Sequence, residues 1–221
     1  MTLSDEQIMI AEMAANFSRD RLRPNAARWD RDKTLDRAIL GELGALGFAG
    51  IYTQEQYGGS GLGRLDAVLI FEQLSKGCVS HAAFLSIHNM ATWMVDRFGD
   101  DALRARFVPK LASADLIASY CLTEPGAGSD AASLRTVARL DGDAYVLNGA
   151  KVFISGGGFS DVYLVMARTS DDGARGISAF LVENGTPGLS FGKNEEKMGW
   201  RAQPTAMVNF DDCRIPDANR I

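Results

Sequence analysis

The chain has 221 residues and a formal net charge of −5 at pH 7, with 46% hydrophobic and 23% charged residues. This composition is ordinary for a soluble globular protein, and the length allows one large domain or two small ones with a substantial core. The acidic balance gives no electrostatic reason to expect nucleic acid or an anionic membrane as a partner.

Cysteines and histidines are few and lie far apart. Cys78, Cys121 and Cys213 form no C-x-x-C pair, which argues against a zinc site or a disulfide framework and favours a reducing compartment. His81 and His88 are too far apart for the i, i+4 pair of a metalloprotease, so we expect structural roles for them. The N-terminus resembles neither a signal peptide nor a transit peptide, and no apolar run is long enough to span a bilayer. We therefore expect a cytoplasmic protein without a metal site.

The first half of the chain has helical periodicity. A capping box at Ser4 opens a helix that Pro24 should kink or end. A second helix is predicted from about Asp36 to a stop at Gly47. Three further helices are predicted over Leu65–Lys76, Val79–Phe98 and Asp100–Leu111. Together they predict an all-α bundle, with Val79–Phe98 at its centre because it is apolar all round.

A glycine-rich segment, Gln54–Gly63, interrupts these helices. One interpretation is a flexible loop between helices. The other is backbone that a ligand or another segment must approach closely. The residues alone leave both interpretations open.

After Ala114 the hydrophobic period changes to two, the spacing of β-strands. Eight short runs, separated by turns rich in glycine, asparagine and aspartate, are predicted strands: Leu116–Leu122, Val137–Leu140, Ala144–Leu147, Lys151–Ser155, Val162–Ala167, Ile177–Val182, Leu189–Phe191 and Ala206–Phe210. Short strands with frequent turn signals predict an antiparallel β-barrel or sandwich. The sequence thus indicates an α+β chain, with an α-helical domain over residues 1–114 and a β domain over residues 115–221.

The junction between the two halves carries the segment Tyr120–Asp130, which reads Tyr-Cys-Leu-Thr-Glu-Pro-Gly-Ala-Gly-Ser-Asp. Proline fixes one backbone angle and glycine permits positive φ, so such a segment can fold back sharply. Successive N–H groups in a loop of this kind form a concavity for anions, phosphate oxygens included. The segment is therefore a candidate site for a phosphate-bearing cofactor.

A dinucleotide-binding fold is the first alternative, because residues 126–131 match the pattern G-x-G-x-x-A. That motif requires a helix to open at its glycines. Asp141-Gly142 and Asn148-Gly149 instead predict hairpins soon afterwards, and no amphipathic helix fits before them. The Rossmann interpretation is therefore rejected.

An α-helical domain, a β domain and Tyr120–Asp130 at their junction together resemble the acyl-CoA dehydrogenase family. The likeness covers nearly the whole chain and includes Tyr57–Gly61, Lys151–Gly156 and Asp211–Pro216. Within the family, several segments are most similar to members that act on isobutyryl-CoA: Asp130–Leu134, Phe153–Ser155, Thr186–Lys193, Lys197–Trp200 and Gln203–Thr205.

The resemblance implies an FAD enzyme that dehydrogenates the α,β bond of a short, branched acyl-CoA thioester. In the family a glutamate removes the α-proton while the β-hydrogen leaves as hydride to the flavin, and the electrons pass to electron-transfer flavoprotein. Hydrogen bonds to the thioester carbonyl stabilise the developing enolate charge in a site that excludes water. The resemblance also implies a homotetramer.

By position, the resemblance assigns flavin contacts to two segments. Thr123 would bond the pyrimidine side of the flavin, and Ser129 would contact both the cofactor pyrophosphate and the substrate. Phe153 would cover the ring and the Ser155 hydroxyl would approach its N5 atom, although without the resemblance residues 153–155 would be interpreted as an ordinary strand. The predicted cofactor set is Tyr120, Cys121, Leu122, Thr123, Gly126, Gly128, Ser129, Phe153, Ile154 and Ser155.

The catalytic base is expected outside these residues. In the family a C-terminal helical bundle supplies the glutamate, and no glutamate of this chain matches it by position. Glu124 lies within the flavin loop, where we expect a structural hydrogen-bonding role. The resemblance therefore predicts that the 221 residues alone are inactive.

Two other functions remain open. A flavin oxidase similar to nitroalkane oxidase uses the same scaffold and differs mainly in the C-terminal bundle. A non-catalytic module, truncated or paired with a partner chain, is the second. The segments that resemble isobutyryl-CoA members favour the dehydrogenase.

Overall fold

The computed structural model describes residues 2–221. Within them, the first half of the chain forms α1 (Asp5–Phe17), α2 (Arg23–Asp32), α3 (Arg37–Ala45), α4 (Arg64–Gly77), α5 (Val79–Phe98) and α6 (Asp101–Ala112). Every predicted helix is present, and the predicted all-α first half is confirmed.

The start of α1 and its passage past Pro24 follow from local chemistry. The Ser4 hydroxyl accepts a hydrogen bond from the Gln7 N–H at 3.2 Å, and the Gln7 side chain accepts one from the Ser4 N–H. The helix does not end at Pro24, because a π-helical turn at Ser18–Leu22 joins α1 to α2 and places the proline in the first turn of α2. A widened turn accommodates the missing donor and the bulk of the proline ring.

Helix α5 lies at the centre of the helical half, and its residue His88 connects that half to the β half. The ring is buried; its Nδ1 accepts a hydrogen bond from the Ala118 N–H at 3.0 Å. The Nε2–H therefore donates to the Leu111 carbonyl oxygen, at 2.9 Å. His81 is also buried, and its Nε2 accepts from the Asp36 N–H. Both histidines thus have the structural role that their spacing predicts.

The second half forms β1 (Ala118–Cys121), β2 (Val137–Asp141), β3 (Ala144–Ser155), β4 (Val162–Arg168), β5 (Ile177–Glu183), β6 (Leu189–Phe191) and β7 (Thr205–Pro216). The sheet order is β1-β4-β2-β3-β7-β6, with β5 paired to β4. The predicted β half is confirmed, but the sheet is mixed and not wholly antiparallel, because β1 runs parallel to β4 and β2 meets β4 in parallel at a single bridge. The β2–β3 hairpin lies between β1 and β4 in the chain and supplies the crossover that parallel strands need.

One predicted hairpin is right and one is wrong. Asp141-Gly142 connects β2 to β3, with Asp141 opposite Ala144. At Asn148-Gly149, by contrast, β3 continues as one strand paired with β7, so the eight predicted strands become seven. Gly149 lies at a register shift with φ 148°, and a Cβ there would be 2.5 Å from Thr136 Oγ1. Glycine is required there by the close approach of Thr136 at a β-bulge and not by a turn.

The glycine-rich segment after α3 is held against the helices. The backbone N–H and the side-chain amide of Gln54 donate to the Asp96 carboxylate at 3.2 and 3.0 Å. A Cβ on Gly59 would lie 2.2 Å from the Thr53 carbonyl oxygen. Of the two open interpretations, close approach by another part of the chain is the one observed.

Polar contacts between the region of α2 and α3 and the β half join the two halves: Arg37 with Asp161, Lys33 with Glu196, and the Arg201 N–H with Asp30. Helix α6 ends at Ala112 and β1 begins at Ala118. The domain boundary between residues 114 and 115 stays a prediction. Among residues 2–221, no helix is both long and apolar enough to cross a bilayer.

We predict that the stability of the chain decreases as the pH falls from about 6.5 to about 4. Burial lowers the pKa of His88 from 6.5 to about 4, so the unfolded chain binds this proton more readily than the folded chain. The contribution of the neutral ring is complete above pH 6.5, and roughly 3 kcal/mol is lost as the pH approaches 4. Urea unfolding of wild type and His88→Gln across this range measures the effect. The variant should lose part of the pH dependence and keep the part due to His81; equal slopes would contradict the assignment.

Candidate functional site

The first predicted flavin segment leaves the sheet at the end of β1. Tyr120 and Cys121 belong to the strand, and the chain then turns sharply between Glu124 and Ala127. The Glu124 N–H donates to the Ala127 carbonyl oxygen at 3.0 Å, and the Ala127 N–H donates to the Glu124 carbonyl oxygen at 3.1 Å. Pro125 and Gly126 form the tip of this turn.

The sharp turn that the sequence predicts is present, but its glycines do not use the positive φ that glycine permits. Neither Gly126 nor Gly128 has a positive φ, because the reciprocal bonds between Glu124 and Ala127, with Pro125 at the turn, already close the loop. A Cβ on either glycine would have no atom of the chain within 4 Å. The fold itself therefore does not require glycine at these positions, and the space in front of the loop is open to a ligand.

Several donors of this loop are free to bind a ligand. Within residues 2–221, the backbone N–H groups of Gly126, Gly128 and Ser129 and the hydroxyls of Thr123 and Ser129 have no hydrogen-bond partner. Free N–H groups that lie close together in an exposed turn are suited to an anion such as phosphate. The donor set thus fits the predicted phosphate-bearing cofactor.

The second predicted segment is the end of β3, where the strand has a bulge. The register with β7 shifts between Lys151 and Ile154, and Phe153 within the shift has φ 59° and a side chain that is 66% exposed. A phenylalanine in the left-handed region is a conformational outlier, and β-bulges often redirect a side chain beside a site. The bulge therefore presents an aromatic ring to solvent at the position that sequence analysis assigns to a ring cover.

Ser155 is held from two sides. Its hydroxyl accepts a hydrogen bond from the Gln203 side-chain amide, and its carbonyl oxygen accepts one from the Ser119 hydroxyl at 2.6 Å. The Oε1 atom of Gln203 is buried and has no partner within the described chain. The loop before β7 thus helps to orient this hydroxyl.

The two predicted segments are direct neighbours. The Val152 N–H donates to the Thr123 carbonyl oxygen at 2.8 Å, and Lys151 Nζ donates to the Leu122 carbonyl oxygen at 3.0 Å. Residues 122–129 and 151–155 therefore form one continuous surface. We call this surface the flavin wall, after the cofactor that the sequence analysis predicts for these two segments.

A buried ion pair lies within this wall. Lys151 Nζ is 2.8 Å from Glu124 Oε1, and the side chains are 0% and 7% exposed. Burial acts to raise the pKa of Glu124, but hydrogen bonds from Lys151, Thr136 and Arg135 together outweigh it and lower the pKa below its usual value. Burial lowers the pKa of Lys151, against the opposing effect of Glu124. Glu124 is thus a carboxylate that accepts structural hydrogen bonds, in agreement with the role predicted for it.

The sequence of each half matches a family model. The acyl-CoA dehydrogenase N-terminal domain matches residues 4–115, and the acyl-CoA dehydrogenase middle domain matches residues 119–213. The chain belongs to the acyl-CoA dehydrogenase family.

Curated relatives agree with this assignment. Isobutyryl-CoA dehydrogenases described as mitochondrial, from Dictyostelium discoideum and Bos taurus, are 53% and 52% identical over 99% and 100% of this chain, and 53% of each relative is covered. A solved structure described as an FAD complex of PigA has a TM-score of 0.96 and 36% identity, covering 100% of this chain and 59% of that one. The chain spans about half the length of the curated relatives that it matches.

Not every residue of the predicted flavin set exposes its side chain on the flavin wall. The side chains of Cys121 and Ile154 are buried in the core of the β half, so only their backbone atoms can contribute. Burial raises the pKa of the Cys121 thiol, which keeps it protonated. The remaining predicted residues, Tyr120, Leu122, Thr123, Gly126, Gly128, Ser129, Phe153 and Ser155, are partly or fully exposed.

Sequence reasoning missed three supporting residues. Lys151 and Gln203 lie in segments that resemble the family, but the sequence predicts no role for either. The third is Arg168, whose guanidinium donates to the carbonyl oxygens of Ala132 and Leu134 and holds the exit of the loop. A lysine within an otherwise apolar strand is a sequence signal for Lys151, since an unpaired buried lysine is costly. Gln203 and Arg168 carry no such signal. Across the described part of the chain, no cluster of three potential metal ligands is found.

We predict that Phe153→Gly is at least as stable as wild type. A left-handed non-glycine residue costs about 1–2 kcal/mol, and glycine removes that cost while losing about 0.5–1 kcal/mol through unfolded-state entropy. Leu140→Gly is the matched control, because Leu140 in β2 is similarly exposed, at 61%, and has no positive φ. Urea unfolding should show about 1 kcal/mol of destabilisation only for the control. Equal losses in both variants would contradict strain at Phe153.

Proposed function

We propose that this chain forms the FAD-binding part of an acyl-CoA dehydrogenase that acts on a short, branched acyl-CoA, with isobutyryl-CoA as the expected substrate. The observation that carries the proposal is the flavin wall, in which a loop with free N–H donors adjoins an exposed phenylalanine on a bulged strand. The identity of 52–53% to isobutyryl-CoA dehydrogenases supports the substrate. When bound, FAD would supply the electron acceptor.

Each part of the wall has a distinct task in this proposal. The free N–H groups of Gly126, Gly128 and Ser129 bind phosphate oxygens. The Thr123 hydroxyl bonds the polar edge of the flavin, and Phe153 covers a face and excludes water. The Ser155 hydroxyl, oriented by Gln203, faces the ring. Ser129 also contacts the substrate, as its position in the motif predicts.

The finer aspects of the function are part of the same proposal. Electrons pass to electron-transfer flavoprotein, and the complete enzyme is a homotetramer, as the family resemblance implies. A cytoplasmic location is proposed on the three cysteines, all free and buried, although two relatives are described as mitochondrial. Cell fractionation tests the location.

We predict that the protein binds FAD at least tenfold more tightly than riboflavin, because only FAD carries phosphates for the loop donors.

Thr123→Val should weaken FAD binding about fivefold to tenfold, since a hydrogen bond contributes about 1 kcal/mol. Thr123→Val should leave stability unchanged, because this hydroxyl has no partner within residues 2–221. Thr186→Val, whose hydroxyl bonds the Glu183 carbonyl away from the wall, is the control. Flavin fluorescence titration and urea unfolding measure these effects; equal affinities for FAD and riboflavin would contradict the proposal.

We also predict that the 221 residues alone do not dehydrogenate isobutyryl-CoA. The carboxylate within the wall, Glu124, accepts three hydrogen bonds and has a lowered pKa, so it is not available as a base. Anaerobic addition of isobutyryl-CoA to the FAD-loaded chain should leave the visible flavin spectrum unchanged. A full-length isobutyryl-CoA dehydrogenase under the same conditions is the positive control. Bleaching of the flavin band in the 221-residue protein would overturn this prediction.

A further inference from the structure

The Lys151–Glu124 pair connects three segments of the chain. Lys151 belongs to β3, and Glu124 lies at the start of the loop that carries Gly126 and Ser129. Glu124 also accepts hydrogen bonds from the backbone N–H groups of Arg135 and Thr136 at 2.6 and 2.9 Å, where the loop ends. One carboxylate therefore closes the loop and attaches it to β3.

The same contact fixes the peptide groups on either side of Thr123. The Leu122 carbonyl oxygen accepts from Lys151 Nζ at 3.0 Å, and the Thr123 carbonyl oxygen accepts from the Val152 N–H at 2.8 Å. The Thr123 hydroxyl itself has no partner in the described chain. The backbone that carries this hydroxyl is thus fixed by bonds to β3.

Stability alone does not account for a charged pair at this place. Replacing a buried ion pair by uncharged residues of similar size is often neutral or stabilising, whereas removing one partner leaves an uncompensated charge. What uncharged residues do not reproduce is the directed bond from Lys151 to Leu122 and Glu124. The pair is therefore better explained by the geometry that it imposes.

We propose that Lys151 and Glu124 are positioning residues, whose ion pair holds residues 122–136 in register with residues 151–155 so that the free donors of the loop and Phe153 face the same FAD molecule. This inference rests on the proposed function. It assigns no contact with the reacting atoms to either residue.

The paired substitution Lys151→Met with Glu124→Gln separates positioning from folding. It removes both charges, so no buried charge is left alone. Glutamine retains an acceptor for the Thr136 N–H at the loop exit and gives up the one for the Arg135 N–H, and the directed bond across to β3 is lost. The matched control is Lys33→Met with Glu196→Gln, the same exchange in an exposed pair between the residue that follows α2 and the loop before β7.

Three measurements on the full 221-residue chain test the inference: urea unfolding, FAD affinity by fluorescence, and hydrogen exchange of the Val152 amide without ligand. We expect the Lys151/Glu124 double variant to unfold near the wild-type urea midpoint. Its FAD dissociation constant should rise at least tenfold, and Val152 should exchange at least tenfold faster. The Lys33/Glu196 double variant should change neither of the last two quantities.

Any of three results would overturn the inference. The first is FAD binding within twofold of wild type by the Lys151/Glu124 double variant, and the second is unchanged protection of Val152. The third is an affinity that falls only as far as stability falls in both double variants, which would make the pair merely structural. A wild-type protein that binds no FAD would overturn the proposed function and the ligand part of the inference, while Val152 exchange would still decide whether the pair holds the two segments together.

Discussion

A lysine without exposed surface is costly unless a directed set of acceptors surrounds its ammonium group. In this protein Lys151 has such a set, formed by the Leu122 carbonyl oxygen and the Glu124 carboxylate. Glu124 in turn accepts hydrogen bonds from two backbone N–H groups at the end of its own loop. Because this network leaves little freedom to residues 122–136, the loop donors and the bulged end of β3 keep a fixed relation. The geometry of the flavin wall depends on it.

The neighbouring strand β4 and the helical half hold this wall in place. The parallel pairing with β4 fixes β1, the first strand in the sheet order, and so fixes the point at which the loop begins. On the helical side, His88 bonds the first residue of β1 and the end of α6, so the strand that leads into the wall is fixed to the bundle. Phe153 shows the local cost of this arrangement, since its backbone lies in a region that phenylalanine rarely adopts.

Local signals in the sequence predicted most of the elements. The capping box at Ser4 and the turn at Asp141-Gly142 are determined by neighbouring residues, and both are present. The parallel β1–β4 contact and the bulge at Gly149 depend on residues far apart in the chain, and no short-range pattern encodes them. The site residues came from resemblance to a family and not from spacing. The role of Lys151 likewise depends on a contact between the loop and β3, which are separated in the sequence.

We propose that residues 122–129 and 151–155 bind one FAD molecule together. Backbone amide NMR of the chain during an FAD titration tests this joint binding. We expect concerted shifts of the Thr123, Gly126, Gly128, Ser129 and Phe153 amides. We expect no change at Arg139 and Arg220, which line a groove of about 650 Å³. Shifts confined to Arg139 and Arg220, or to only one of the two segments, would contradict joint binding.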